Sequence, residues 1–249
     1  MASSEQIARL GAAQRRVAEL VQGQLSAFFG ALNLSRPEQA RDALLEFMPI
    51  LVNQFGAVSE RIALEWYEGV RANGYLAVPA TNRIPNAAIE AKIRYQAGQL
   101  WSENPASTLV GLNAAMMKYV RQPGRDAIAY NSYREGIRYA RVPRGEKTCA
   151  FCLMLASRTD EWLYLSKDTA GFNLKSGEKF HDGKCDCEVI PVESEDDFPD
   201  PHARREMFEM YRESTNQVGS RSDTKSILAD MRRRFPDQLT DGVYVKDDD

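Results

Sequence analysis

All four cysteines of this 249-residue chain lie between positions 149 and 187, together with one of its two histidines. They occur as Cys149-x-x-Cys152 and as His181-x-x-x-Cys185-x-Cys187. A CxxC pair lets two thiolates bind one ion, and structural zinc sites take four Cys or His ligands in tetrahedral geometry. The clustering therefore predicts one tetrahedral metal site in this segment, and zinc is the metal that such ligand sets usually hold.

Five candidate ligands compete for the four positions around the ion. One set combines Cys149, Cys152 and His181 with either Cys185 or Cys187, and the competing set uses the four cysteines alone. We favour His181 as a ligand because it lies on the segment that returns toward the cysteines. The alternative to a metal is two disulfides or four unrelated thiols. The N-terminus has no basic stretch followed by an apolar run, which predicts synthesis in a reducing cytoplasm, where disulfides are disfavoured.

Residues 1–124 show the spacing of amphipathic α-helices. Apolar residues recur at three- and four-residue steps, which places them on one helix face. In the first helix these are Ile7, Leu10, Val17, Leu20, Val21, Leu25, Phe28 and Leu32. Pro49 is expected to kink or split the second helix. The sequence Gln122-Pro-Gly124 is expected to end the last helix of this region, before another over residues 125–134.

Residues 125–193 change in character and predict a small α+β domain. Alternating side chains and β-branched residues predict strands over residues 137–142, 162–165 and 188–192. Residues 166–180 are rich in Lys, Gly, Ser and Asp, which predicts an exposed loop.

The cysteines occupy useful positions in this predicted domain. Helical spacing from Cys149 to Arg158 indicates that the CxxC pair opens a helix, whose N-terminal amides and dipole favour the thiolate form. Cys185 and Cys187 lead into the last strand. Because residues two apart on a strand share a face, both of these sulfurs can point toward one ion.

The rest of the chain, residues 194–249, predicts an acidic, proline-marked linker and a helical tail, with helices over residues 203–213 and 225–235. The predicted fold class is therefore α+β, mainly α. A helical N-terminal region (1–124) is followed by a zinc-stapled α+β domain (125–193) and the linker and tail.

Composition and motifs argue against several classes of function. The net charge is −3, which gives no reason to expect binding to duplex DNA. The chain has no HExxH, no glycine-rich phosphate loop and no GxSxG motif. Asp182, Glu178 and His202 could serve a catalytic zinc, but each is expected to be a solvated surface group. No apolar run approaches the length of a membrane span, which predicts that the protein has no membrane partner.

Basic residues around the CxxC pair raise the possibility of a zinc module that binds nucleic acid. These are Arg138, Arg141, Arg144, Lys147 and Arg158. Solvated charges are the simpler interpretation of such a group.

The segment from Arg141 to Arg158 reads RVPRGEKTCAFCLMLASR, and Phe180 to Cys187 reads FHDGKCDC. Together they resemble the MuF-like minor capsid proteins of tailed phages, most closely the forms found in actinobacterial phages. Members of that group carry a CxxC, a loop and a terminal His-x(n)-Cys-x-Cys. The resemblance covers residues 125–192, and the helical region before it fits in character only. Thr159 follows the Ser-Arg pair here, where members tend to have Gly.

The resemblance implies a structural protein of the phage head. It implies association with the portal protein, the major capsid protein or both, with packaged DNA as a further candidate partner. The expected role is in head assembly, DNA packaging or ejection, located in the virion head and in the host cytoplasm during assembly. The alternative is a capsid maturation protease or another zinc-dependent hydrolase, which would cleave head proteins through Asp182, His181 or His202. We expect a structural zinc and no catalytic residues.

Overall fold

Long helices form most of the protein, which we describe from a computed structural model. The structure describes residues 2–71, 74–81, 84–145, 147–157, 187–193 and 197–244. The α-helices are α1 (Ser4–Gly30), α2 (Pro37–Arg71), α3 (Asn86–Ala97), α4 (Thr108–Glu135), α5 (Ala150–Ala156), α6 (Pro201–Val218) and α7 (Thr224–Arg234). The strands are β1 (Arg138–Val142) and β2 (Glu188–Val192), and short 3-10 turns span Gly98–Trp101 and Pro105–Ser107. The predicted mainly helical α+β class is confirmed.

Helices α1 to α4 pack together through the apolar faces that the sequence predicted. Ser3 caps α1, since its side chain accepts a hydrogen bond from the Gln6 amide while the Gln6 side chain accepts one from the Ser3 amide. The predicted stripe of α1 is buried at Ile7, Leu10, Val17, Val21 and Leu25, whereas Leu20 is 47% exposed. One core, here called the bundle core, joins the four helices. Its members include Val21, Leu25, Leu44, Met48, Ile89, Ile93, Leu112, Met116 and Val120.

Both internal prolines lie within continuous helices. α2 runs through Pro49 over 35 residues, so the helix is not split there, and the alternative of a kink at Pro49 stays a prediction. α4 runs through Pro123 and Gly124 over 28 residues, so the predicted helix end at Gln122-Pro-Gly124 is wrong. A helix-interior proline costs about 3 kcal/mol, an amount that tertiary packing can offset. Here Pro123 packs against Gly56 of α2 and Gly124 lies against Ser59, so the pair forms a close helix contact rather than a stop signal.

The two described strands confirm the predictions for residues 137–142 and 188–192. β1 and β2 are antiparallel, and their register pairs Arg138 with Val192 and Val142 with Glu188. Every residue of β2 is buried, because the small sheet is covered by helices. α5 confirms the helix predicted after Cys149. The predicted strand at residues 162–165 and the loop at 166–180 lie outside the described residues.

Helices α6 and α7 confirm the predicted tail and pack back on α5. They join a second core, here called the cysteine core, which contains Leu10, Tyr67, Cys149, Cys152, Cys187, Ile227 and Leu239 among others. This core therefore includes residues from all three predicted regions, and the predicted boundary between residues 124 and 125 falls inside α4. The division into three domains stays a prediction. None of the helices described combines the length and the apolar character needed to cross a bilayer.

Candidate metal centre

Three of the five predicted ligands, Cys149, Cys152 and Cys187, are buried in one core and are fully shielded from solvent. The Sγ atoms of Cys152 and Cys187 lie 3.4 Å apart, although the two residues are 35 positions apart in sequence. No disulfide links the cysteines that the structure describes. The fold therefore brings the end of the CxxC motif next to the cysteine that precedes β2.

The start of α5 fixes the orientation of the CxxC pair. Cys149 is the N-cap residue, with extended backbone angles, and its Sγ accepts a hydrogen bond from the Cys152 amide at 3.4 Å. A sulfur that accepts an amide hydrogen bond at a helix N-terminus is stabilised as a thiolate, since the amides and the helix dipole carry partial positive charge there. This arrangement is the one that the CxxC spacing predicted.

The separation of the Cys152 and Cys187 sulfurs fits two ligands of a tetrahedral zinc ion. Two thiolates bound at about 2.3 Å to one tetrahedral ion lie about 3.8 Å apart, and the separation between Cys152 and Cys187 is close to that value. His181 and Cys185 lie outside the described residues. Within the described part of the chain, no group of three or more His, Cys, Asp or Glu side chains is arranged to hold a metal ion.

A buried ion pair anchors Cys187. The next residue, Glu188, begins β2, and its carboxylate accepts a hydrogen bond from the Arg121 guanidinium at 2.6 Å. The two side chains are only 2% and 4% exposed. Because Arg121 belongs to α4, the pair ties the first residue of β2, directly after Cys187, to that helix.

The chain after α7 supports the other side of the site. The Asp241 carboxylate accepts a hydrogen bond from the Ala150 amide at 2.8 Å. It also forms an ion pair with Arg232, whose Nε lies 2.7 Å away. The Thr240 amide donates to the Thr148 carbonyl at 3.0 Å, and Leu239 forms a parallel bridge with Thr148. The CxxC turn is therefore held by residues that lie about ninety positions later in the sequence.

A buried acid lies on α4 near the sheet. Burial raises the pKa of Asp126 to about 8, although a hydrogen bond with Gln122 and the positive charges of Arg125 and Arg141 oppose that shift. All four side chains are at least 97% shielded from solvent. These groups were not expected in the interior, because polar residues at helical spacing normally indicate a solvated face.

The structure describes only some of the residues proposed for the alternative functions. His202 is exposed on α6, where it lies 3.3 Å from Glu206. Asp182, Glu178 and Arg158 lie outside the described residues. Arg141, one of the basic residues flanking the CxxC pair, is 1% exposed and its guanidinium lies over the Phe151 ring, so it is not available to a nucleic acid.

A cavity of about 920 Å³ opens beside the cysteine core. Leu153 of α5 lines one wall, and Met207 and Met210 of α6 line another. The described cysteines do not line this cavity, so it is separate from the candidate metal centre.

The model of the VG15 protein family matches residues 1–214, and the chain therefore belongs to the VG15 family. The match includes the whole helical bundle, the sheet and the candidate metal centre, and it ends within α6.

Two curated relatives are proteins of bacteriophages. The chain is 25% identical over 172 residues to the gene 15 protein of Mycobacterium phage D29, which covers 54% of this chain and 62% of that protein. It is 32% identical over 110 residues to the gene 15 protein of Mycobacterium phage L5, which covers 32% of this chain and 37% of that protein. The chain thus matches less than two thirds of the length of either relative. No solved structure matches it. These findings place the chain in a family of phage proteins.

Proposed function

We propose that the chain is a structural minor capsid protein of a tailed bacteriophage, of the MuF-like type. In this role it associates with the portal protein, the major capsid protein or both, and acts in head assembly, DNA packaging or ejection. The observation that supports the proposal most directly is the buried contact between the Cys152 and Cys187 sulfurs, with Cys149 in the same core. These residues belong to the motif that resembles the MuF-like group, and the chain belongs to a family of phage proteins.

The proposed zinc site has Cys149, Cys152 and Cys187 as three of its ligands, with His181 or Cys185 as the fourth. Cys187 is preferred because its sulfur lies beside that of Cys152. A bound zinc would link the start of α5 to the start of β2. Structural zinc sites of this kind contribute on the order of 10 kcal/mol to folding. The proposed role of the ion is structural, and we assign no catalytic residue.

The location can be tested in the phage that encodes the chain. DNA-filled particles and empty heads would be separated on a density gradient, and the chain would be quantified against the portal protein by mass spectrometry. We expect a few copies per particle in both fractions and co-purification with the portal or major capsid protein from disrupted heads. Absence of the chain from both kinds of particle would contradict the proposed role.

The metal site has its own test, which is the zinc content of protein purified without chelator. We expect one zinc per chain, lost in Cys152→Ser and in Cys187→Ser. His181→Ala decides the fourth ligand, and His202→Ala is its matched control because that histidine is exposed on α6. Loss in His181→Ala alone assigns the imidazole, whereas retention in both histidine variants assigns Cys185. A wild-type protein without zinc would refute the site.

A further inference from the structure

The loop after α7 folds back on itself and covers the CxxC turn. Leu239 is 3% exposed and belongs to the same core as the three cysteines. Gly242 lies so close to Pro236 that an added Cβ would come within 2.4 Å of the Pro236 carbonyl oxygen. The Val243 amide donates to the Arg232 carbonyl at 2.8 Å. These contacts define a compact loop, here called the C-terminal clamp (residues 236–243).

We propose that Asp241, held by Arg232, is a positioning residue of the metal centre: the C-terminal clamp fixes the Cys149–Ala150 turn in the conformation that binds the ion. The inference rests on the zinc site proposed above and extends it to residues beyond the VG15 match, which ends at residue 214. No ligand role is assigned to Asp241 itself.

The argument begins with the amides at the start of α5. A helix leaves its first amides without partners inside the helix, and each needs an acceptor when it is buried. The Cys149 sulfur accepts from the Cys152 amide, and the Asp241 carboxylate accepts from the Ala150 amide. Both bonds act on the same turn. Because Ala150 directly follows Cys149, the second bond sets the direction in which the Cys149 side chain leaves the backbone.

Charge supports the same assignment. A lone carboxylate beside a cluster of thiolates would oppose metal-site formation by repulsion, but Arg232 lies 2.7 Å from the Asp241 carboxylate and offsets its charge. The two side chains are only 23% and 16% exposed, so water screens the pair weakly. Asp241 can therefore hold the Ala150 amide without adding a net negative charge next to the sulfurs.

The test compares three variants of the full chain. Asp241→Ala removes the acceptor, and Asp241→Asn keeps an oxygen for the Ala150 amide but loses the ion pair. Asp237→Ala is the matched control, since Asp237 lies in the same loop and its carboxylate accepts from Tyr244 on the exposed surface. Zinc extraction by the chromogenic chelator 4-(2-pyridylazo)resorcinol gives the rate of metal loss, and the cobalt-substituted protein gives a thiolate-to-cobalt absorption spectrum.

Support residues that act behind metal ligands typically contribute about 10- to 100-fold to metal affinity. We expect Asp241→Ala to speed zinc extraction by about that factor and to shift the cobalt spectrum, with a smaller effect in Asp241→Asn and none in Asp237→Ala. The spectrum separates positioning from general destabilisation, because a loss of stability alone leaves the coordination of the folded fraction unchanged.

Two results would overturn the inference, and they differ in whether they also refute the zinc site. Wild-type extraction rates and spectra in both Asp241 variants would refute the positioning role while leaving the zinc site intact. A wild-type chain that binds neither zinc nor cobalt would refute the site and the inference together.

Discussion

At the scale of single residues, the buried carboxyl of Asp126 predicts how stability depends on pH. Its pKa is raised from 3.8 to about 8 in the folded chain by burial. The unfolded chain loses this proton near pH 4, so the folded state binds one more proton between about pH 4 and pH 8. The free energy of unfolding therefore falls as the pH rises through that window, by up to about 1.4 kcal/mol per pH unit from this group.

The measurement is urea unfolding at several pH values between 5 and 8, on the wild type and on Asp126→Asn. The substitution removes the titrating group and keeps its shape, so we expect a flatter pH dependence and a gain in stability at the alkaline end. Asp42→Asn is the control, because that carboxylate is exposed on α2. An unchanged slope in Asp126→Asn would show that the buried carboxyl is not protonated in this range.

The ion pair between Arg121 and Glu188 gives a second prediction at this scale. Removing one partner leaves an uncompensated buried charge, which typically costs about 3–5 kcal/mol. We expect Glu188→Ala to reduce the free energy of unfolding by that amount. Glu193→Ala is the matched control at the other end of β2, where the carboxylate is 55% exposed in its pair with Arg71 and should contribute less than about 1 kcal/mol. Equal effects of the two substitutions, measured by urea unfolding, would contradict this difference.

Residue types and spacing predicted only part of the candidate site. The CxxC motif could be recognised in the sequence because metal binding by two thiolates requires that separation. The position of Cys149 at the start of a helix followed from the local helical spacing. The proximity of Cys187 to Cys152 was expected from the clustering of thiols. No sequence pattern indicated that Asp241 belongs to the site, since its contact with Ala150 depends on how α7 packs. The burial of Asp126 was equally hidden, because it reflects the position of α4 under the sheet.

At the scale of secondary-structure elements, α4 shows why proline and glycine mislead when they are interpreted locally. Local rules end a helix at Gln122-Pro-Gly124, since proline removes an amide donor and glycine favours a helix end. The helix continues because these residues lie in contact with both α1 and α2. An added Cβ on Gly124 would lie 2.7 Å from the side-chain nitrogen (Nε2) of Gln14 and 2.8 Å from the backbone carbonyl oxygen of Ser59.

Gly124→Ala should therefore destabilise the protein, against the usual preference for alanine in helices. Forcing a methyl group into this contact typically costs about 1–3 kcal/mol. It would also disturb the buried pair in which the Gln14 side chain donates to the Ser59 carbonyl at 2.9 Å.

The control is Gly69→Ala, at an exposed position of α2 with no atom near the added methyl. We expect this substitution to stabilise the protein by roughly 1 kcal/mol, because alanine has the higher helix propensity. Thermal unfolding of both variants provides the measurement, and a stabilising Gly124→Ala would refute the close contact.

At the scale of the whole molecule, the two cores differ in their dependence on the candidate metal. The bundle core contains none of the described cysteines, whereas the cysteine core joins α5 and both strands to the tail. Complete removal of zinc should therefore raise amide hydrogen exchange in β1, α5, β2 and the C-terminal clamp. The amides of α1 to α3 that surround the bundle core should remain protected.

Hydrogen exchange with mass spectrometry, before and after chelation, tests this difference. The Thr240 amide is an informative probe, since it donates to Thr148 next to the CxxC pair. Unchanged exchange in α5 and β2 of the fully stripped protein would show that no metal staples this part of the fold. Loss of protection throughout the chain would show instead that the two cores unfold as one unit.

The general architecture followed from sequence because it rests on local periodicity. Amphipathic spacing located α1, α6, α7 and the two halves of α2, and alternation located β1 and β2. The arrangement of these elements depends on contacts between distant residues, which no local rule contains. The sharing of one core by Leu10, Cys149 and Leu239 is an example.

The long separation between Ala150 and Asp241 sets an order of events during protein synthesis. All four cysteines have been translated by residue 187, yet the carboxylate that holds the CxxC turn is added only at residue 241. At about 5–20 residues per second, the nascent chain passes several seconds with its thiols made and its clamp absent. At the proposed zinc site, capture of the ion would therefore come first and closure of the clamp second, and the supply of zinc during synthesis would then influence how the last helices dock.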